Sequence, residues 1–141
     1  MQITRQADYA ARAVLHLAAL DPDSRAATSA IAEEQGIPPS FLAKIISQLS
    51  VAGIVHTSRG AHGGVSLSRS SSLINLRQVI EAIDGPILLN DCVAEDHICR
   101  YENHCPIHDI WVETQQDLVK RLEEATFDKI VLQYHEKKSS Q

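Results

Sequence analysis

Three cysteines, Cys92, Cys99 and Cys105, fall within fourteen positions in the spacing C-x6-C-x5-C, and His108 follows the last of them by three residues. A thiolate is a nucleophile, a redox group and a soft metal ligand, so spacing decides which chemistry is in view. Structural zinc sites bring their cysteines in close pairs that make tight knuckles, and this stretch has none. Iron–sulfur clusters are held mainly by thiolates, with histidine replacing some in certain classes, and so wide an object needs ligands spread around a loop. Three thiolates and a fourth ligand of another kind would leave a cluster reactive on one side, as a sensor requires. Two alternatives stay open. The thiols can act without a cluster, as a redox or partner-binding switch, or the chain can be a small iron–sulfur electron carrier. An odd cysteine count speaks against a disulfide framework.

Residues 86–105, which hold these cysteines, show neither the helical nor the strand period and carry Asp91, Glu95, Asp96, His97, Glu102 and His104 besides. We therefore expect three parts: residues 1–85, a cysteine-rich cluster-binding loop at 86–105, and a helix with a tail at 106–141.

The elements around the loop are legible from periodicity. Ile3, Ala7, Ala10, Ala11, Val14, Leu15 and Ala18 predict an alanine-rich helix over 3–20, stopped by Asp21-Pro22-Asp23. Thr28 is placed to cap a short second helix through Glu34, and Gly36 to end it. Pro38-Pro39 opens a third, on which Phe41, Leu42, Ile45, Ile46 and Leu49 face inward, leaving Ser40, Ala43, Lys44, Ser47 and Gln48 outward. Two short helices joined by a glycine-containing turn are a helix-turn-helix. The runs 54–57 and 65–68 then read as strands around a glycine-rich tip, Ser58 to Gly64, so the expected fold is mainly α with a small β-wing, a winged helix-turn-helix. Glycines let backbone approach a phosphate closely, and Arg59 is the residue type that a narrow minor groove attracts. The residues expected against DNA are Thr28, Ser40, Lys44 and Gln48 together with Arg59, Gly60, Gly63 and Gly64.

Asn75 is a plausible cap for a fourth helix carrying Leu76, Val79, Ile80 and Ile83. Ile107, Ile110, Trp111, Leu118, Val119, Leu122 and Ala125 form a long stripe over 106–125, expected to meet a partner subunit as a dimerisation helix. Thr126 is placed to cap a last short helix with Phe127, Ile130 and Val131, and Glu136–Gln141 reads as a frayed tail.

Composition fits one ordinary domain of 141 residues with a formal net charge of −5, which taken whole argues against a nucleic-acid partner. The charge is unevenly spread: residues 1–70 carry +1 and residues 71–141 carry −6. Between Glu34 and Glu81 there is no acid at all, while Lys44, Arg59, Arg69 and Arg77 fall inside, covering the expected reading helix and wing. No run is long and apolar enough for a membrane span and no secretory signal opens the chain, so a cytoplasmic protein is expected. There is no phosphate loop and no catalytic triad by motif, so no enzyme is expected.

Together these features resemble the dimeric winged-helix transcription regulators of the IscR, NsrR and RirA type. The residues concerned are Met1-Gln2-Ile3-Thr4, Asp8-Tyr9-Ala10, Arg12-Ala13, Lys44-Ile45-Ile46, Gln48-Leu49, Ala52-Gly53, Arg59-Gly60, Gly63-Gly64 and the cysteine loop. The resemblance implies a homodimer on a near-palindromic double-stranded operator, with the third helix in the major groove and the wing arginine in the minor groove. It also implies an iron–sulfur cluster, [2Fe-2S] or [4Fe-4S], whose state switches DNA affinity in response to nitric oxide, redox state or iron supply. Its fourth ligand would fall on His108, as in cluster-biogenesis members, or on Asp8 of the partner subunit, as in nitric-oxide-sensing members.

Overall fold

The computed structural model describes residues 1–141, the side chain of Glu102 apart. Helix α1 (Arg5–Ala18) begins where Thr4 turns extended and its hydroxyl accepts from the Ala7 N–H. Ile3, expected on this helix, lies outside it and is exposed. The buried face is Ala7, Ala10, Ala13, Val14 and Leu17, whereas Ala11, Leu15 and Ala18 only flank the core. With small residues on both sides of the helix, hydropathy does not choose a face, and close packing against the next helices does.

Helix α2 (Thr28–Gln35) is capped at Ala27 by backbone alone, so Thr28 is the first helical residue rather than the cap. Gly36 ends it at φ +63°, a left-handed conformation that needs no Cβ. Helix α3 (Pro39–Val51) starts on its proline and buries Leu42, Ile45, Ile46 and Leu49. Phe41 departs from the expected inward face: it is 45% exposed and lies tilted against Tyr9, ring centroids 6.4 Å apart.

Strands β1 (Val55–Ser58) and β2 (Gly64–Leu67) pair antiparallel from Val55↔Leu67 to Ser58↔Gly64. Ala26 adds a bridge to Val65, its N–H donating at 2.9 Å and its carbonyl accepting at 2.8 Å, which ties the wing to the entry of α2. Gly64 is required there, since a Cβ would stand 2.8 Å from the Ala26 oxygen.

After a 3-10 turn at Ser71–Leu73 comes α4 (Leu76–Asp84), closed at its start by a reciprocal box in which Asn75 accepts from the Gln78 N–H and the Gln78 side chain accepts from the Asn75 N–H. Helix α5 (Pro106–Glu124) follows the cysteine loop, which contains two 3-10 turns, Asp91–Val93 and Glu102–His104. Helix α6 (Phe127–Ser139) is longer than expected, taking in most of the residues read as a frayed tail.

One core holds α1, α2, α3, β1, β2 and α4 together, and α6 returns into it through Phe127, which is 1% exposed and whose N–H donates to the Ile74 carbonyl at 2.9 Å. Burial of each such side chain favours the fold by roughly 1.5–3 kcal/mol. A smaller cluster of Ala7, Ile80 and Ile87, flanked by Leu118 and Leu122, joins α1, α4, the start of the cysteine loop and α5. The expected α5 stripe is thereby divided. Leu118 and Leu122 pack within the protomer, while Ile107 and Ile110, 56% and 58% exposed, and the exposed Trp111 face outward.

Candidate nucleic-acid interface and cysteine loop

The outward face of α3 presents Ser40, Ala43, Lys44 and Ser47, all exposed. Its buried face is locked by four aliphatic side chains, so the exposed face is held rigidly. Gln48 is half-buried, and its Oε1 is shielded from solvent with no hydrogen-bond partner among the described residues. Thr28 is exposed at the start of α2.

The wing places Arg59 and Gly60 at its exposed tip. Gly63 is enclosed by the Ser58 and Arg59 backbone, so its lack of a Cβ serves the turn, as that of Gly64 serves the contact with Ala26. Only Gly60, of these three, has open space beside it. Arg25, in the segment before α2, donates to the Ser58 hydroxyl at 2.9 Å and to the His62 carbonyl at 3.2 Å, fixing the wing tip against the body. Nothing local in the sequence marks Arg25, because its partners lie more than thirty positions away.

The acid-free stretch proves less cationic in effect than in count. Arg69 donates to the carbonyls of Gly53 at 2.9 Å and Leu73 at 3.2 Å, and to Ser68 and Gln78, so it is a bracket between the exit of α3 and the base of the wing. Arg77 pairs with Glu123 and with Glu81, and hydrogen bonds to these two carboxylates, Glu123 foremost, raise its pKa further. Among the described residues, Lys44 and Arg59 are the cations of the stretch left to a ligand.

Cys92, Cys99 and Cys105 are free and half-buried. The Cys92 thiol donates to the Asn90 Oδ1 at 3.0 Å. Cys105 is the residue before Pro106 at the start of α5, and its carbonyl accepts from the His108 N–H at 3.2 Å. Asp8, in the first turn of α1, is exposed and paired with Arg12 at 3.0 Å. Three thiolates are chemically apt for an iron–sulfur cluster, but among the described residues no three His, Cys, Asp or Glu side chains gather where one metal ion could be held.

The loop is attached to the body at its beginning. Gln115 of α5 accepts from the Leu89 N–H at 2.9 Å and donates to the Ile87 carbonyl. Just before, Asp84 accepts from both the backbone N–H and the hydroxyl of Thr4, the cap of α1. Residues 84–89 thus touch the start of α1, the end of α4 and the middle of α5. Gln115 was not singled out in the sequence, where it is one more polar residue on a helix surface.

A family model described as an iron-dependent transcriptional regulator, Rrf2, matches residues 3–133. An HTH-type transcriptional regulator of Mycobacterium tuberculosis (strain H37Rv) is 30% identical over 126 residues, 89% of this chain and 78% of its own. In fold the chain is similar to CymR, the global cysteine regulator of B. subtilis, with a TM-score of 0.76 and 22% identity over 93% of this chain and 96% of that one. It is equally similar to T. potens IscR, with a TM-score of 0.76 and 21% identity over 95% of this chain and 88% of that one. Among the described residues no helix is long and apolar enough to cross a membrane.

Proposed function

The chain belongs to the Rrf2 family of transcriptional regulators and is not an enzyme, and from that premise we propose that it is a homodimeric repressor whose affinity for a double-stranded operator is set by its cysteine loop. The observation that carries the DNA half is the rigid α3 face with Ser40 and Lys44 exposed, flanked by a wing with Arg59 exposed at its tip and, among the described residues, without an internal partner. In this reading α3 enters the major groove, Arg59 the adjacent minor groove, and Thr28 and Gly60 lie along phosphates; Gly63 and Gly64 shape the wing. Ile107, Ile110 and Trp111 are the apolar anchors of the dimer.

The switch, in our reading, is an iron–sulfur cluster, [2Fe-2S] or [4Fe-4S], on Cys92, Cys99 and Cys105, with His108 or Asp8 of the partner subunit as fourth ligand. The family's description as iron-dependent supports it. When bound, such a cluster supplies a site that oxidants or nitric oxide attack. In this reading the three thiols of the loop face the cluster together. That the three thiols are free favours a second reading, a cluster-free thiol switch. Either way the chain's own part is mechanical: a change at 90–105 reaches Ile87 and Leu89, which Gln115, Ala7 and Ile80 hold against α5, α1 and α4.

Binding to DNA upstream of its own gene, followed by anisotropy, tests the DNA half: Arg59→Ala should weaken specific binding and lower the salt slope by about one per subunit. Unchanged affinity and slope in both Arg59→Ala and Lys44→Ala would refute it. Iron and acid-labile sulfide, measured after anaerobic reconstitution of the wild type and of Cys92→Ser, separate the two readings of the switch.

A further inference from the structure

The hairpin that carries Arg59 is short. Its ladder ends at Ser58↔Gly64, and beyond that rung the tip is turned by a backbone bond from the Gly63 N–H to the Gly60 carbonyl at 3.0 Å. Arg59, Gly60 and Ala61 are exposed, and Gly60 stands at φ +99° with open space beside it. A glycine-bearing tip has much conformational freedom to lose, so an arginine on it reaches a groove only with the cost of ordering the tip. Two adjacent residues outside the wing limit that freedom. Ala26 holds the base through its two-way bridge to Val65. Arg25 holds the tip: its Nη1 donates to the Ser58 hydroxyl at 2.9 Å and to the His62 carbonyl at 3.2 Å, so one guanidinium nitrogen brackets Arg59-Gly60-Ala61 from both sides. The stem of Arg25 lies close to the outgoing strand, since a Cβ on Gly64 would stand 3.5 Å from the Arg25 Cβ.

Resting on the DNA-binding reading above, we propose that Arg25 is a positioning residue for the wing, which sets the approach of Arg59 to the minor groove before DNA is met. Arg25 is exposed, so its two hydrogen bonds add little to global stability. Their effect falls on the freedom of the three bracketed residues, and through it on operator affinity.

The test uses the full-length protein and an operator that the wild type selects from random DNA. Arg25→Met keeps an apolar stem and removes the donors. It should leave Tm within about 2 °C of wild type, as a surface change does. Order parameters of the Gly60 and Ala61 amides should fall, and operator affinity should drop about threefold to tenfold per wing, the usual cost of ordering one long side chain. Ser58→Ala, which removes one of the two acceptors, should give a smaller loss in the same direction. The double-mutant cycle decides: in an Arg59→Ala background Arg25→Met should cost nothing further and leave the salt slope where Arg59→Ala put it, because nothing remains to be aimed. An equal loss in both backgrounds, the result of a phosphate contact by Arg25 itself or of a merely structural role, overturns the positioning role. So does unchanged affinity in Arg25→Met where Arg59→Ala weakens binding. Both outcomes leave the DNA-binding reading standing, whereas failure to select any operator overturns that reading and the positioning role with it.

Discussion

Gln115 clasps the cysteine loop to α5 by hydrogen-bonding loop backbone at two points, Leu89 N–H and Ile87 C=O. Gln115→Leu keeps the bulk and removes both bonds. Leaving a buried backbone group unpaired costs roughly 1–3 kcal/mol. Here both groups are only part-buried and water recovers some of the loss, so the low end applies, about 2 kcal/mol for the pair. For a chain of this length that corresponds to a fall of about 6–8 °C in Tm. Calorimetry gives the stability, and hydrogen exchange at the Leu89 amide gives the local effect, which should be a marked loss of protection. Operator affinity should also become less sensitive to the state of the thiols, because the loop start no longer moves with α5. A Tm within about 1 °C of wild type with Leu89 protection unchanged would show that the clasp does not operate in solution.

Further outcomes follow from the packing and the caps. Phe127→Ala empties a fully buried site where α6 meets the main core and should cost about 3–5 kcal/mol by urea denaturation, against less than about 0.5 kcal/mol for Leu132→Ala on the exposed side of the same helix. Asn75→Ala breaks the capping box of α4 and should cost about 1 kcal/mol by the same measurement. The Asp128 carboxyl is held below its ordinary value, first by a hydrogen bond from the Thr126 hydroxyl and then by the Lys129 N–H, with desolvation opposing. A depressed native value means that its stabilisation is complete at neutral pH and is lost as pH falls below about 4. Asp128→Asn should therefore show a flatter acid limb in an equilibrium unfolding series, and an unchanged limb would contradict the assignment.

The reading helix and the wing were legible because their signals are local and mutually consistent. Pro39 opens α3, Gly36 closes α2, and Gly60, Gly63 and Gly64 mark the turn between two alternating strands. The face of α1 was misread because alanines surround that helix, so Ala13 and Leu17 could not be preferred to Ala11 and Leu15 without knowing what lies opposite. Spacing alone puts Phe41 with the core residues, yet at the start of α3 that direction points past the core toward Tyr9. Counting cations along the chain overstated the electrostatic footprint, since Arg69 and Arg77 are spent on the Gly53 and Leu73 carbonyls and on Glu123 and Glu81. Long-range brackets such as Arg25 to the wing and Gln115 to the loop leave no periodic trace, and they are what positions the candidate site.

The central claim is that the cysteine loop governs operator affinity. Its most direct test is the dissociation constant of the dimer on its operator, measured at one salt concentration on protein that is fully reduced, oxidised, or reconstituted with iron and sulfide. At least two of these states should differ by about tenfold or more, in the range that coupling between sites typically supplies, and the difference should vanish when Cys92, Cys99 and Cys105 are all replaced by serine. Equal affinity in all three states, or a difference that survives loss of the cysteines, would contradict the account.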